Sequence, residues 1–277
     1  MKTHYINRSD RDDRNYLLRG AMAANDWRPE ELVRIIAKHR EDHPSRPEVC
    51  DAACEDGFEG FFNRMRDKTF PGYGSLVSSW SYMRSWREIA NGDETVIHLL
   101  DDYYIKQPKR NLEVLLAPLG DFNIVQLAWH ERDDVFFLDW YDLKIPYKHQ
   151  TEKVSDKSPY FLEGAWQGCS DWALVFSPQG AAWMLEYMET ESVINADCVT
   201  TAMQHSGRKY SGIYSLRDQP RDVTGNEVLE TNPWVGHLIE YTEGAVSNLM
   251  GTHQLVDTND DGDLAWDPRL RKESDES

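Results

Sequence analysis

Two adjacent carboxylates, Asp101 and Asp102, directly follow the apolar run at 95–100. That run, Thr-Val-Ile-His-Leu-Leu, is typical of a strand buried on both faces of a parallel sheet. Ligands of open α/β sheets bind beyond the carboxyl ends of the strands. Carboxylates there are suited to hold Mg²⁺ or Mn²⁺, hard cations that prefer oxygen ligands and bridge to phosphates. The alternative is a solvated acidic turn, since acidic pairs are common.

The pattern around this run predicts an α/β fold with a mostly parallel central sheet and helices on both faces. Further strands are expected at 4–7, 121–128 and 172–176. Helices are expected at 16–24, 75–89 and from Pro178 onward. A helix is also expected at 29–39, because Pro and Glu come early and Lys and His come late, the order that suits a helix dipole.

The chain of 277 residues has 30 Lys and Arg against 48 Asp and Glu, a net charge of −18, with 12% aromatic residues. Disordered chains are poor in aromatics, so this chain is expected to fold. The acidic balance disfavours nucleic acid as a partner without excluding it, because affinity for polyphosphates comes largely from Lys and Arg. The segments 8–19 and 208–221 are the local basic strips.

No stretch approaches the ~18 apolar residues of a membrane span, and charge follows the first residues directly, unlike a signal peptide. A cytoplasmic protein with its four cysteines as free thiols is therefore expected.

Residues 1–252 are predicted to form a single domain, and 253–277 an acidic segment and tail. Within that tail, 257–263 matches the start of a Ca²⁺-binding loop, but position 12 is Pro268, which favours an acidic turn.

The segment from Gly74 to Asp102 resembles the family 25 glycosyltransferases, the lipopolysaccharide-type and collagen-type galactosyltransferases. Their pattern is a Gly-x-x-x-Ser-His helix followed by an apolar strand ending in Glu-Asp-Asp. Blocks at 4–14, 121–127, 170–181 and 194–197 resemble the family in the same order. The resemblance implies a GT-A fold, a nucleotide-sugar donor, UDP-linked in most members, a divalent metal and inverting transfer to a hydroxyl.

The resemblance also implies roles for individual residues. The implied nucleotide-binding set is Ile6, Asn7, Arg8, Arg14, Ser78 and Asp101. The implied metal set is Asp102, Asp101 and His253, with His205 and His237 as alternatives to His253. The implied catalytic base is Asp197, with Asp171 as the second candidate. An N-cap is the plainer interpretation of Asp197, and exposed loop residues that of the arginines.

Two positions depart from the family pattern. Leu100 replaces the first acid of Glu-Asp-Asp, and Ser79 replaces the His of Ser-His. The metal is therefore expected to bind more weakly, or the donor to differ. An acceptor platform or core packing is expected for the aromatic residues Trp129, Trp140, Tyr141, Trp166 and Trp172.

The leading functional prediction is a metal-dependent hexosyl- or pentosyltransferase that uses a nucleotide sugar and a hydroxyl acceptor on a glycan or protein. The first alternative is a nucleotide-sugar or carbohydrate binding protein of the same fold with impaired catalysis. A further alternative is a hydroxylated nucleic-acid base as the acceptor, which the charge of −18 disfavours. A metal-dependent phosphodiesterase ranks last, because two-metal sites require more carboxylate and His residues at suitable spacing than this sequence offers.

Overall fold

The structure is a computed structural model that describes residues 1–68, 72–101, 103–105, 107–131, 153–163, 168–192, 195–196, 199–205, 210–216 and 239–241. The strands are β1 (Lys2–Asn7), β2 (Leu32–Ile36), β3 (Val96–Leu100), β4 (Tyr103–Ile105), β5 (Ile124–Glu131), β6 (Lys153–Val154), β7 (Phe161–Glu163), β8 (Gly168–Phe176), β9 (Ile213–Leu216) and β10 (Ile239–Tyr241). The helices are α1 (Asp12–Ala24), α2 (Arg46–Glu55), α3 (Glu59–Met65), α4 (Tyr73–Ala90), α5 (Lys109–Leu116), α6 (Pro178–Thr190) and α7 (Val199–His205). Short 3₁₀ turns lie at Pro29–Glu31, Arg40–Asp42 and Ala117–Leu119.

Eight of the described strands form one sheet in the order β2-β1-β3-β8-β5-β9-β7-β6. The pairings of β1 with β2, β1 with β3, and β5 with β9 are parallel, whereas β8 and β7 pair antiparallel with their neighbours. Six of these eight strands consequently point the same way. The predicted α/β class with a mostly parallel sheet is confirmed, and β4 pairs with β10 in a separate antiparallel ribbon.

Helices cover both faces of the sheet, as predicted. Alternate strand residues feed two cores, because successive side chains of a strand point to opposite faces. On β1, Ile6 joins a core shared with α2, α3, α4, α6 and α7, whereas Tyr5 joins a core shared with α1 and α5. On β8, Phe176 and Val175 divide in the same way. No helix in the described ranges is long and apolar enough to cross a membrane.

The prediction of a helix at 29–39 is wrong. Pro29–Glu31 form only a 3₁₀ turn, and Leu32–Ile36 form β2. The early Pro and Glu stabilise only that single turn, in which the Glu31 carboxylate accepts a hydrogen bond from the Arg28 backbone N–H at 3.0 Å. The residues that follow include β-branched Val33 and Ile35, which fit a pleated strand. Parallel pairing with β1 outweighs the charge order that favoured a helix.

Helix α6 begins as the sequence predicts. Ser177 is the N-cap, Pro178 follows at the first position, and the Ser177 hydroxyl accepts from the Gly180 backbone N–H at 3.1 Å. The Ser177 backbone N–H also donates to the Asn123 carbonyl at 3.0 Å, which fixes the helix start against the chain that enters β5. An ideal Cβ at Gly180 would collide with that same carbonyl oxygen. Glycine is therefore required at this helix start by a close approach of backbone.

We expect Gly180→Ala to lower the free energy of unfolding by about 3 kcal/mol, the upper end of what overpacking a core costs. Backbone must move apart to admit the methyl group, since the obstacle is a carbonyl and not a flexible side chain. Urea denaturation measures the change. Gly74→Ala in α4 is the matched control, because nothing lies within 4 Å of its Cβ position. If both variants kept the parent stability, the close packing of α6 on Asn123 would be contradicted.

Among the cysteines, Cys50 and Cys54 are free thiols as predicted, and burial raises the pKa of Cys50 to about 11. Cys198 and the side chain of Cys169 lie outside the described residues. The segment 253–277, with its calcium-loop motif at 257–263, also lies outside them. The predictions for these parts of the chain stay predictions.

Candidate functional site

The strand order reverses beside β1. The chain passes from β1 through α1 to β2 on one side, then through α4 to β3 on the other side of β1. Helices α1 and α4 cover opposite faces of the sheet. Such a reversal opens a crevice at the carboxyl ends of the two strands, where open α/β sheets bind ligands. Asn7 ends β1 and Asp101 directly follows β3 at this edge of the sheet, so the prediction that Asp101 lies at a strand end is confirmed.

The carboxylate of Asp101, next to the end of β3, accepts hydrogen bonds from side chains of β1 and α1. Asn7 Nδ2 donates to its Oδ2 at 2.6 Å, and Arg14 Nη1 donates to its Oδ1 at 3.1 Å. The Asp101 backbone N–H donates to the Ile6 carbonyl at 3.1 Å, continuing the pairing of β1 with β3. Asp101 is only 8% exposed. We call Asn7, Arg14 and Asp101 the Asp101 clamp.

The start of α1 holds the clamp in place. Asn7 Nδ2 also donates to the Arg11 carbonyl at 3.1 Å, one turn before Arg14. From β1, the Tyr5 hydroxyl donates to Asn15 Oδ1 at 2.6 Å. These bonds fasten α1 to β1 on both sides of Arg14. Asn15 and Tyr5 were missed in the sequence, where they carry no signal beyond their place next to Arg14.

Asn7 keeps one unused hydrogen-bonding atom. Its amide nitrogen faces two acceptors, which identifies the other end as the oxygen. That atom, Oδ1, has no hydrogen-bond partner among the described residues, and Asn7 is 1% exposed. A buried acceptor without a donor is costly.

Arg8 and Ile6 stand apart from the clamp. The exposed Arg8 guanidinium forms two bonds to the Asp10 carboxylate, at 3.0 and 2.8 Å. This pairing lowers the pKa of Asp10, and an ion pair so open to solvent contributes little stability. The Ile6 side chain lies in the core beneath α4, and only its backbone carbonyl reaches Asp101. The nucleotide roles implied for these two residues stay predictions.

Ser79 has a structural task that the sequence did not reveal. Its buried hydroxyl donates to the Ser75 carbonyl at 2.7 Å and accepts from the Ala196 backbone N–H at 3.1 Å. Ala196 immediately precedes Asp197 in the chain. Ser79 thus ties α4 to the segment that leads into the implied catalytic base. The neighbouring Ser78, implied to contact nucleotide, is exposed on α4.

We expect Ser79→Ala to lower the free energy of unfolding by about 1–3 kcal/mol, because the buried Ala196 N–H loses its acceptor. Urea denaturation again supplies the measurement. Ser78→Ala is the matched control on the exposed side of the same helix turn and should change stability by less than about 0.5 kcal/mol. Equal effects of the two substitutions would show that the bond to Ala196 is unimportant.

The structure places the backbone of Asp171 at the same edge of the sheet as the clamp. Strand β8 runs antiparallel to β3, with Ala173 opposite Leu99. Asp171 lies two residues before Ala173 on β8, which is toward the carboxyl end of β3. Its side chain is outside the described residues. The same holds for all atoms of Asp102, Asp197, His237 and His253 and for the side chain of His205. Also outside are the side chains of Trp129, Trp140, Tyr141, Trp166 and Trp172.

The described residues do not form a metal site around Asp101. No group of three or more His, Cys, Asp or Glu side chains suited to a metal occurs among them. Both carboxylate oxygens of Asp101 already accept hydrogen bonds, Oδ1 from the Arg14 guanidinium and Oδ2 from the Asn7 side-chain amide. Asp102 and His253, the other implied metal ligands, lie outside the described residues, so their roles stay predictions.

Comparison with known proteins gives structural likeness only. No family model matches the chain, and no curated protein matches it. Solved structures similar to it include the galactosyltransferase LgtC in complex with donor and acceptor sugar analogues, at 12% identity over 91% of this chain and 96% of that one, with a TM-score of 0.43. An active-site mutant of LgtC matches at 10% identity, the same coverage and a TM-score of 0.41. Mouse xyloside xylosyltransferase 1 in its apo form matches at 10% identity over 74% of this chain and 82% of that one, with a TM-score of 0.38. The assignment to family 25 stays a prediction.

Proposed function

We propose that this chain is a glycosyltransferase of the GT-A type that moves a sugar from a nucleotide-sugar donor, with a UDP-sugar as the first choice, to a hydroxyl of a glycan or protein. The observation that carries the proposal is the Asp101 clamp at the reversal of strand order. It sets a guanidinium at the edge where α/β sheets bind ligands, beside a buried acceptor that has no donor among the described residues. Guanidinium groups are good partners for phosphate oxygens.

The proposed reaction is a displacement with inversion at the anomeric carbon. The acceptor hydroxyl forms the new C–O bond and gives its proton to a base, while the bond from the anomeric carbon to the diphosphate breaks and the diphosphate leaves with the electron pair. We assign the base to Asp197, with Asp171 as the second candidate. Arg14 would attract the diphosphate, and Asn7 would accept a hydrogen bond from the nucleoside.

We also propose a divalent cation, Mn²⁺ or Mg²⁺, with Asp102 as its carboxylate and His253 as a further ligand. When bound, such a cation supplies positive charge to the leaving diphosphate. Leu100 removes one acid relative to the Glu-Asp-Asp pattern, and Asp101 is engaged by Arg14 and Asn7. We therefore expect weak metal binding that depends mainly on Asp102.

The test is a screen of UDP-sugars and other nucleotide sugars by thermal unfolding and nucleotide release, each with Mn²⁺ and with EDTA. One donor should raise the Tm by about 5 °C or more at a hundred times its Kd, and slow release of its nucleotide should follow. Asp102→Asn should lose the metal-dependent part of that shift. If no donor stabilised the fold in either condition, the proposed function would be wrong.

A second candidate is a nucleotide-sugar binding protein with impaired catalysis. The observation that favours it is Ser79, which stands where the family has His and whose hydroxyl is occupied by Ser75 and Ala196. The same screen separates the two candidates. Stabilisation by a donor with no release of nucleotide, even with a range of acceptor sugars, would favour the binding protein.

A further inference from the structure

We infer that Arg64 of α3 is a positioning residue that fixes the chain joining α6 to α7 at the edge of the sheet that carries the Asp101 clamp. The proposed base, Asp197, belongs to this joining chain, residues 191–198, so the catalytic part of the inference rests on the proposed function. The anchoring part rests on the hydrogen bonds of Arg64 alone. Arg64 belongs to none of the blocks that carry the family resemblance.

The guanidinium of Arg64 closes the end of α6. Its Nη1 donates to the Glu189 carbonyl at 2.7 Å, and its Nη2 donates to the Met188 carbonyl. Beyond the helix, its Nε and Nη2 also donate to the Ser192 carbonyl, at 3.4 and 3.3 Å. The last carbonyls of an α-helix have no N–H partner within the helix, and the helix dipole favours a cation there. The last turn of α6 contains no basic residue of its own, so α3 supplies the cation.

Helix α6 supports α3 in return. The Glu189 carboxylate accepts through Oε2 from the Gly60 backbone N–H at 2.7 Å, at the start of α3, where helix N–H groups also lack partners within the helix. An ideal Cβ at Gly60 would lie 2.1 Å from the Glu189 carbonyl oxygen, so the two backbones approach closely. Because the bonds run in both directions, α3 determines where α6 ends.

The joining chain has a second anchor on α4. The Ala196 backbone N–H donates to the Ser79 hydroxyl at 3.1 Å. Of this chain, the structure describes residues 191, 192, 195 and 196, and Ser192 and Ala196 are each 1% exposed. One anchor from α3 and one from α4 thus hold the described part of the joining chain. Asp197 directly follows the second anchor in the sequence.

The packing of α4 on the sheet shows at which edge these anchors lie. Trp86 lies against Phe176, which is level with the start of β3, at 6.3 Å between ring centroids. Tyr82, one turn earlier, lies against His98 in the middle of β3, at 5.3 Å. Ser79 lies about one turn earlier still, which is toward the carboxyl end of β3. The joining chain therefore reaches the edge of the sheet where the proposed site lies.

The planar fork of Arg64 is what the anchor requires. One guanidinium presents several N–H groups in a fixed plane, whereas the ammonium of lysine is a point charge that cannot bond three carbonyls in this way. Loss of the fork leaves part-buried carbonyls of α6 without their donor and allows the joining chain to shift. A shift of about 1 Å in a catalytic group can cost about 10²-fold in rate.

The first arm of the test measures backbone amide hydrogen exchange in the full chain without nucleotide. Arg64→Gln should speed exchange of the Ser192 and Ala196 amides at least about tenfold, because the chain between them loses one of its two anchors. Arg46→Gln is the matched control, since it removes a guanidinium bond to another helix-end carbonyl, that of Met65 on α3. It should leave both amides within about twofold of the parent.

Two results of the exchange arm would contradict the anchor. One is parent exchange rates at both amides in Arg64→Gln. The other is equal acceleration in Arg46→Gln, which would indicate a general loss of stability. If Arg64→Gln did not fold, Arg64→Lys would replace it in both arms, with smaller changes in the same direction, and parent values would then refute the inference.

The second arm measures turnover of the donor that the proposed screen selects, at a temperature at which every variant is folded. Arg64→Gln should lower kcat about 10- to 100-fold, while the UDP Kd from calorimetry stays within about twofold of the parent. Arg64→Lys should recover only a small part of kcat, and Arg46→Gln should keep the parent kcat within about twofold.

The kinetic results separate positioning from other roles. Unchanged kcat in Arg64→Gln would refute the positioning role, and so would a loss of UDP affinity as large as the loss of kcat, because the defect would then lie in the donor site. If the parent turned over no donor, the proposed function would be wrong, and the exchange arm would still decide whether Arg64 anchors the joining chain.

Discussion

Turnover of the donor that the proposed screen selects should fall by about 10²- to 10⁴-fold when Asp197, the proposed base, is replaced by Asn, the range that a positioned general base contributes. The amide keeps the shape of the carboxylate but cannot take the proton of the acceptor hydroxyl. The affinity for UDP should stay within about twofold, because the base acts on the acceptor and not on the nucleotide. Nucleotide release under saturating donor and UDP calorimetry measure the two quantities.

Asp171→Asn is the matched control for this prediction. The structure places the backbone of Asp171 on β8 near the carboxyl end of β3, at the edge of the sheet that carries the Asp101 clamp. If Asp197→Asn kept normal turnover and Asp171→Asn lost it, the base would be Asp171. Ser79→Ala should lower turnover, but by less than Asp197→Asn does, because Ser79 holds the chain next to Asp197. It should leave the affinity for UDP unchanged.

The sheet could be predicted from local patterns where burial alone decides the structure. Strands β3, β5 and β8 overlap the runs predicted at 95–100, 121–128 and 172–176, because apolar side chains of these strands fill two cores at once. Asp101 could be placed at a strand end for the same reason. At 29–39 the local signals favoured a helix, and only the pairing of β2 with β1 makes the segment a strand.

The contacts that define the candidate site could not be predicted, because they join distant parts of the chain. Arg14 meets Asp101 only because β1 and β3 are neighbours, which depends on where the chain reverses its strand order. Ser79 meets Ala196 across 117 residues. The resemblance singles out Arg14 and Ser79, but it does not indicate that Arg14 meets Asp101 or that Ser79 meets Ala196. Long-range pairing gives each a task that neither its type nor its neighbours indicate.

A second large effect is expected from acid, and it originates in the centre of the sheet. His4 of β1 and His98 of β3 are register partners. His98 is fully buried against the rings of Tyr82, Trp86 and Phe176, with centroids 5.3, 6.5 and 6.0 Å from its own. Neither of its ring nitrogens has a hydrogen-bond partner in the described part of the chain.

Burial lowers the pKa of His98 to about 3 and that of His4 to about 4, both from 6.5. The unfolded chain therefore binds these two protons at a higher pH than the folded chain does. The stability that the neutral rings confer is complete above pH 6.5 and falls as the pH drops below it, by about 1.4 kcal/mol per pH unit for each histidine. The loss continues to about pH 4 for His4 and to about pH 3 for His98. Near pH 4.5 the two histidines together should lower the free energy of unfolding by about 5 kcal/mol relative to its value above pH 6.5.

Replacing His98 by Leu separates this titration from ordinary packing. An apolar side chain of similar volume leaves no ring nitrogen without a partner, so Leu should be neutral or stabilising at pH 7.5. The same change should remove about half of the pH dependence below 6.5, and His4→Leu in addition should remove most of the remainder. Urea denaturation from pH 4.5 to pH 8 measures both effects. If the free energy of unfolding of the double variant fell with pH as steeply as that of the parent, acid would act elsewhere. If it stayed constant, the two unprotonated imidazoles on β1 and β3 would limit the acid stability of the sheet that carries the Asp101 clamp.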